Sequence, residues 1–146
     1  MKKKKIHHRS DCAISIALDL IGDKWSLLII RDMILRGKNT YGDFHKAGEK
    51  IATNILADRL ALLEAGRIIE KGVHPKSKAM ALYKLTSKGI DLVPVLIEMI
   101  DWSEHYNKVS PAYVKLSKQI IKDKQGVIKS IKENLKQPEP QCFLPI

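Results

Sequence analysis

The stretch Thr53-Asn54-Ile55-Leu56-Ala57-Asp58-Arg59-Leu60-Ala61-Leu62-Leu63-Glu64-Ala65-Gly66, followed by Ile68-Ile69-Glu70-Lys71-Gly72-Val73, carries two periodicities back to back. In the first, Leu56, Leu60 and Leu63 recur at the spacing of one helix face. A projection at about 100° per residue puts Asn54, Ala57, Asp58 and Ala61 on the opposite side. That side is small and polar, and Gly66 supplies the stop. The second run reads as a strand. Met80-Ala81-Leu82-Tyr83-Lys84-Leu85 reads as its partner, and His74-Pro75-Lys76-Ser77-Lys78-Ala79 as a polar loop between them. A helix with a bare polar ridge, followed by a basic-tipped hairpin, is the unit from which the rest is read.

Upstream, Thr40 is placed to cap a short helix from Tyr41 to about Lys46, and Gly37-Lys38-Asn39 forms a polar turn before it. Lys24 to Leu35 is apolar nearly all round, the mark of a central buried helix. Ile14, Ala17, Leu18 and Ile21 line one face of an earlier helix over residues 12–21. Downstream, Thr86 opens a long helix to Tyr106, with Pro94 at a kink or at its effective start. An amphipathic helix over residues 112–136 follows, with Gly126 as its weak point, and then an irregular tail holding three of the six prolines. The expected fold is mainly α with a small β-hairpin: a winged helix-turn-helix with extra N- and C-terminal helices for dimerisation. Its divisions are a basic N-terminal arm (1–11), a winged-helix DNA-binding and dimerisation domain (12–106), a C-terminal helical extension (107–136) and the tail (137–146).

This order predicts contact with double-stranded DNA. The helix over residues 53–65 fits the major groove, and the hairpin lays lysines on phosphates or the minor groove. Asn54 can pair with adenine. Thr53 can touch a phosphate or a thymine methyl, Asp58 can accept from cytosine, and Ala57 permits close approach. Lys76 and Lys78 at the wing, and Lys38 and Thr40 at the preceding turn, are the backbone-contact candidates. Arg59 falls off the exposed face, which leaves two readings: a staple between elements, or a phosphate contact.

Composition narrows the alternatives. A chain of 146 residues with 45% hydrophobic content and a formal charge of +10 is a folded protein with an anionic partner. Cys12 and Cys142 are too few for a disulfide framework, which points to a reducing, cytoplasmic setting. No Cys/His spacing suits a metal, and no cofactor motif is present. The polar residues after the Met1–Lys5 run speak against a signal peptide, and no run of about 20 apolar residues spans a membrane. The five histidines are scattered, with no phosphate loop, nucleophile elbow or carboxylate pair, so an enzyme is not expected. The rival reading is a winged-helix protein-interaction module that never touches DNA.

The string from Cys12-Ala13-Ile14 through Leu18-Asp19-Leu20-Ile21-Gly22-Asp23-Lys24-Trp25-Ser26-Leu27-Leu28-Ile29 resembles the opening signature of the HxlR-type (MarR-like) winged-helix regulators. Tyr41-Gly42-Asp43-Phe44, Ile51 to Leu60, Leu63-Glu64-Ala65-Gly66, Tyr83 to Gly89 and Trp102 extend the likeness over residues 12–106. The resemblance implies a bacterial or archaeal transcription regulator that dimerises through the first and last helices of the domain. Two departures stand out. Ala52-Thr53 replaces the Ser-Pro common among relatives, so Thr53 is expected to take over the helix cap, and Ala13 replaces a Pro. In some relatives the cysteine matching Cys12 senses oxidants or electrophiles; the alternative for Cys12 is a small buried side chain.

The apolar load of residues 86–106 exceeds what one small domain covers, so a homodimer is expected, with Ile14, Leu18, Leu92, Leu96, Met99 and Ile100 at the interface. Two-fold pairing predicts a near-palindromic operator. A small molecule or an oxidant is the class of effector to be expected. The last helix is expected to pack across the dimer, in preference to DNA or a membrane surface.

Overall fold

In the computed structural model, which describes residues 5–145, seven helices and one hairpin form a single core. The lysines at positions 2–4 of the expected basic arm lie outside the described residues. α1 (Ala13–Ile21) leads into α2 (Lys24–Arg36), whose Ile29, Ile30, Met33, Ile34 and Leu35 fill the centre of the core. Asp23 caps α2, accepting from the backbone N–H of Ser26 at 2.9 Å and from its hydroxyl at 2.7 Å. α3 (Tyr41–His45) begins with a reciprocal capping box between Thr40 and Asp43. α4 (Thr53–Ala65) follows it, then β1 (Ile69–His74) and β2 (Ser77–Leu85) as an antiparallel ribbon.

The hairpin differs from the expected six-residue loop. Only Pro75 and Lys76 form the turn, and β2 begins at Ser77. The register jumps from Val73 opposite Ala81 to His74 opposite Ser77, so residues 78–80 bulge out of the ladder. Lys78 therefore sits on a bulged strand and not in a loop, because the chain recovers extended geometry immediately after the tight turn.

The expected long helix is two pieces: α5 (Ser87–Ile90), capped by Thr86, and α6 (Val93–Tyr106). Pro94 lies in the first turn of α6, where its missing N–H costs nothing, so it marks a start. α7 (Pro111–Leu135) is interrupted at Asp123, whose φ of −156° leaves the helical region. Asp123 accepts from the Gly126 N–H at 2.9 Å, so it caps the second half of α7. A Cβ on Gly126 would collide with that capping carboxylate. The weak point predicted at Gly126 thus falls three residues earlier, and the glycine makes room for the cap.

α7 does not keep its apolar stripe free for a partner. Leu116, Ile120, Ile128 and Ile131 are buried in the protomer's own core. Lys124 bridges Glu98 and Asp101 of α6, Lys132 reaches Asp91, and the Ser117 hydroxyl donates to Glu104. The tail is irregular, as expected, yet docked. The Phe143 and Leu144 N–H groups donate to the Leu35 carbonyl at 2.8 and 2.7 Å, and the Leu144 side chain is buried. An orphan carbonyl near the end of α2 is thereby satisfied. Gly37, at φ +64°, lets the tail backbone approach this turn; a Cβ there would lie 3.3 Å from the Cys142 nitrogen.

Candidate nucleic-acid interface

The α3–α4 unit is anchored to α2 by charge. Asp32 is buried, and its Oδ1 accepts from Arg31 Nε and Nη2 at 3.0 and 2.8 Å and from Arg36 Nη1 at 3.2 Å. Arg31 continues to Glu49 at 2.8 Å, and Arg36 to the Ala47 carbonyl at 3.4 Å, both in the segment leading to α4. Burial pushes the Asp32 carboxyl above its ordinary value despite both guanidinium groups. For Arg31, burial acts downward, but the carboxylates of Glu49 and Asp32 outweigh it and leave the guanidinium more basic than usual. Sequence reasoning missed this network. Its signal was Arg31, Asp32 and Arg36, three charges in the largely apolar second half of the helix.

α4 is fixed at its start, middle and end. The Tyr41 hydroxyl donates to the Thr53 carbonyl at 3.0 Å. Leu56, Leu60 and Leu63 are buried. Arg59 donates to Asp58 at 2.6 Å and to Asp23, the α2 cap, at 3.4 Å. Of the two readings for Arg59, the structure supports the staple. Burial acts to raise the Asp23 carboxyl, but the Ser26 bonds and the Arg59 guanidinium outweigh it and hold the group below its ordinary value. Lys88 closes the far end by donating to the Gly66 carbonyl at 2.9 Å.

On this scaffold, Thr53, Asn54, Ala57 and Ala61 are exposed on one ridge. Asn54 has no hydrogen-bond partner among the described residues, so its amide is available to a ligand. Asp58 is different: half-buried and held by Arg59, it is not the open acceptor expected for cytosine. Thr53 does not become the cap either. The cap position is Ala52, with no side-chain bond, because the chain is still extended there. Thr40 is half-buried and spends its oxygen as an acceptor on the Asp43 N–H at 3.2 Å, so it shapes the turn before anything else. Lys38 is half-buried beside it.

The wing grows from the same scaffold. The Tyr83 N–H donates to the Asn39 carbonyl at 2.8 Å, tying β2 to the turn before α3, and Phe44 packs a tilted ring against Tyr83. Beyond this base the ribbon is exposed, and it carries Lys76 at the turn and Lys78 on the bulge.

The dimerisation candidates divide. Ile14 is 71% exposed, Leu18 57% and Met99 46%. Leu92 and Ile100 are half-buried. Leu96 is buried in the protomer's own core, because α6 turns that face onto α2 and α7, so it has little surface to give a partner. Trp102 and Tyr106, exposed and 5.6 Å apart, were not among the candidates and lie on the same helix. An apolar cavity of about 370 Å³ between α2 and α6 is lined by Leu27, Leu28, Met99, Ile100 and Tyr113.

Cys12 is exposed ahead of α1, which overturns the expectation of a small buried side chain; the preceding residues leave the core, and only Ile6 among those described packs back. No cluster of metal-ligating side chains occurs among the described residues, and no helix there is long and apolar enough to cross a membrane.

Known proteins share this arrangement. The HTH-type transcriptional regulator YybR of Bacillus subtilis is 30% identical over 85% of this chain and 98% of its own length. YdeP, from the same organism and of the same description, is 33% identical over 72% of this chain and 84% of its own. Among solved structures, PA1607, described as a candidate transcription factor, superposes with a TM-score of 0.63 at 36% identity, covering 72% of each chain. The reduced form of the transcriptional regulator YodB from B. subtilis gives 0.54 at 29% identity, over 68% of this chain and 97% of that one. These relatives are regulators and not enzymes. The profile of the HxlR-like helix-turn-helix proteins matches residues 20–111, and the chain accordingly belongs to that family of DNA-binding transcriptional regulators.

Proposed function

We propose that this protein is a homodimeric, sequence-specific regulator that reads a near-palindromic duplex with α4 in the major groove and the hairpin on the flanking backbone or minor groove. The observation that carries this reading is the exposed ridge Thr53, Asn54, Ala57 and Ala61, held rigid by three buried leucines and adjoining a ribbon with Lys76 and Lys78 at its end. Small side chains at Ala57 and Ala61 let the helix backbone approach base edges. Asn54 has the donor–acceptor pair that matches adenine in the major groove. Lys38 and Thr40 lie at the turn before α3, where the backbone of the duplex would pass.

The dimer reading rests on the exposed apolar side chains of α1 and α6. Ile14 and Leu18 of one copy are suited to the cavity beside Met99 and Ile100 of the other, with Leu96 in its lining and half-buried Leu92 one turn earlier in the chain. Exposure of Cys12 supports its reading as a contact point for an oxidant or electrophile, and the site of action would be the cytoplasm, with the DNA.

Titration of genomic duplex fragments at several salt concentrations tests the function. Tight, salt-dependent binding to a small subset of fragments is expected, weakened for that subset when Cys12 is oxidised. Uniform weak binding to all fragments contradicts sequence reading, and no binding at all leaves a protein-interaction module.

A further inference from the structure

The positive charge is distributed unevenly. Residues 12–107, which contain the winged helix, hold 13 basic against 12 acidic groups, so that part is close to neutral. Residues 108–146 hold eight basic against three acidic groups, and all eight are lysines. Those on α7 and at its C-cap divide into two sets. Lys124 is paired to α6 and Lys132 to Asp91 at the end of α5, and both knit the helix down. Lys115, Lys118, Lys122, Lys129 and Lys136 are exposed and have no ion pair among the described residues.

The unpaired set is ordered. Lys115, Lys118 and Lys122 share a face of the first half of α7 at i, i+3 and i+7, and Lys129 in the second half is followed seven residues on by Lys136 at the C-cap. At about 1.5 Å per residue the first three span roughly 10 Å, and the break at Asp123 places the other two on a separate helical segment. At its start, Lys108, Lys115 and Lys118 border an open groove of about 440 Å³. Five like charges along one element repel one another, and among the described residues no ion pair offsets them; the apolar side of α7 already secures the helix.

We propose that this lysine row is a second DNA-binding surface, which grips the phosphate backbone of a duplex without reading its sequence. Lysine is a hydrated point charge suited to diffuse phosphate contact, whereas bidentate base readout favours arginine. A membrane surface fits less well. The apolar stripe of α7 is folded into the core, and Ile121 is the one large apolar side chain it leaves well exposed among the described residues. Duplex DNA is also the polyanion that the winged helix holds nearby, which raises its effective concentration at α7. The inference rests on the protein binding duplex DNA, and not on the roles given to Asn54 or the wing.

The test compares the full chain with a variant carrying Lys115→Gln, Lys118→Gln, Lys122→Gln and Lys129→Gln, each titrated with a random-sequence duplex over a range of salt. The slope of log affinity against log salt should flatten by about 0.9 for each phosphate that is no longer neutralised, or roughly two to four units. The matching Lys→Arg variant should restore it, which separates charge from damage to the fold. An unchanged slope on duplex overturns the proposal, and so does an effect confined to anionic vesicles or single-stranded RNA. If Asn54→Ala left all sequence preference intact while the lysine variant had a flatter slope, the α4 reading would fail and this one would stand.

Discussion

Asp23 shows how one carboxylate is shared between folding and function. It caps α2 and receives the guanidinium that staples α4, so it couples the buried helix to the one that carries Asn54. In the folded protein it is held below its ordinary value of 3.8, so its charge contributes stability that is present above that pH and is lost as pH falls through the lower folded value. Asn keeps the capping acceptor but not the charge. The denaturation midpoints of wild type and Asp23→Asn should therefore differ near neutrality and converge as pH falls below 3.8; a constant gap would show that the charge plays no part. Asp32 has the opposite sign, since burial raises it and protonation there favours the folded state. Asp32→Ala removes the buried carboxylate shared by Arg31 and Arg36, leaving them only Glu49 and the Ala47 carbonyl, and a loss of about 3 kcal/mol is expected from chemical denaturation. Periodicity alone places Arg59 off the exposed face. It cannot reveal that Asp58 is taken by Arg59, or that Arg31 and Arg36 converge on Asp32, because those contacts depend on how helices cross.

At the scale of elements, helices and their breaks are largely legible where a residue's own backbone preference decides. Pro94 starts α6, Thr86 caps α5, and Gly66 follows α4. The break in α7 is the exception: a glycine's flexibility points to position 126, while the interruption comes from Asp123 competing for a cap. The docked tail leaves no periodic trace. Three prolines among polar residues read as irregular, and nothing local says that Leu144 finds the core. Leu144→Ala should cost on the order of 2–4 kcal/mol in urea unfolding, as for other buried leucines, and a cost near zero would show a tail that is not engaged in solution. For the wing, Lys76→Gln with Lys78→Gln should lower the salt slope by about one to two units on every sequence alike. An unchanged slope removes the hairpin from the contact surface.

As a whole molecule, the chain presents exposed apolar side chains on α1 and α6, and an α4 ridge that the proposed pairing would duplicate. Carrying Ile14→Asp with Leu18→Asp, the protein should sediment as a monomer at concentrations where wild type is a dimer, and its specific affinity should fall together with its assembly. Retained dimerisation would move the interface elsewhere. An excess of apolar residues points to this pairing in the sequence, but it cannot sort Leu96, which α6 turns inward, from Met99, which it turns out. The net charge of +10 suggests an anionic partner correctly in kind. The excess of unpaired lysines along α7 emerges only when they are separated from Lys124 and Lys132, which pair with Glu98, Asp101 and Asp91.

The most direct measurement is a selection of binding sequences from a random duplex pool, run in parallel with the wild-type protein and Asn54→Ala. Inverted half-sites are expected, with centres about 34 Å apart or a whole number of turns, and the variant should lose preference at one base step in each half. Indistinguishable preferences from the two proteins, or an enriched site with no two-fold relation, would contradict that expectation.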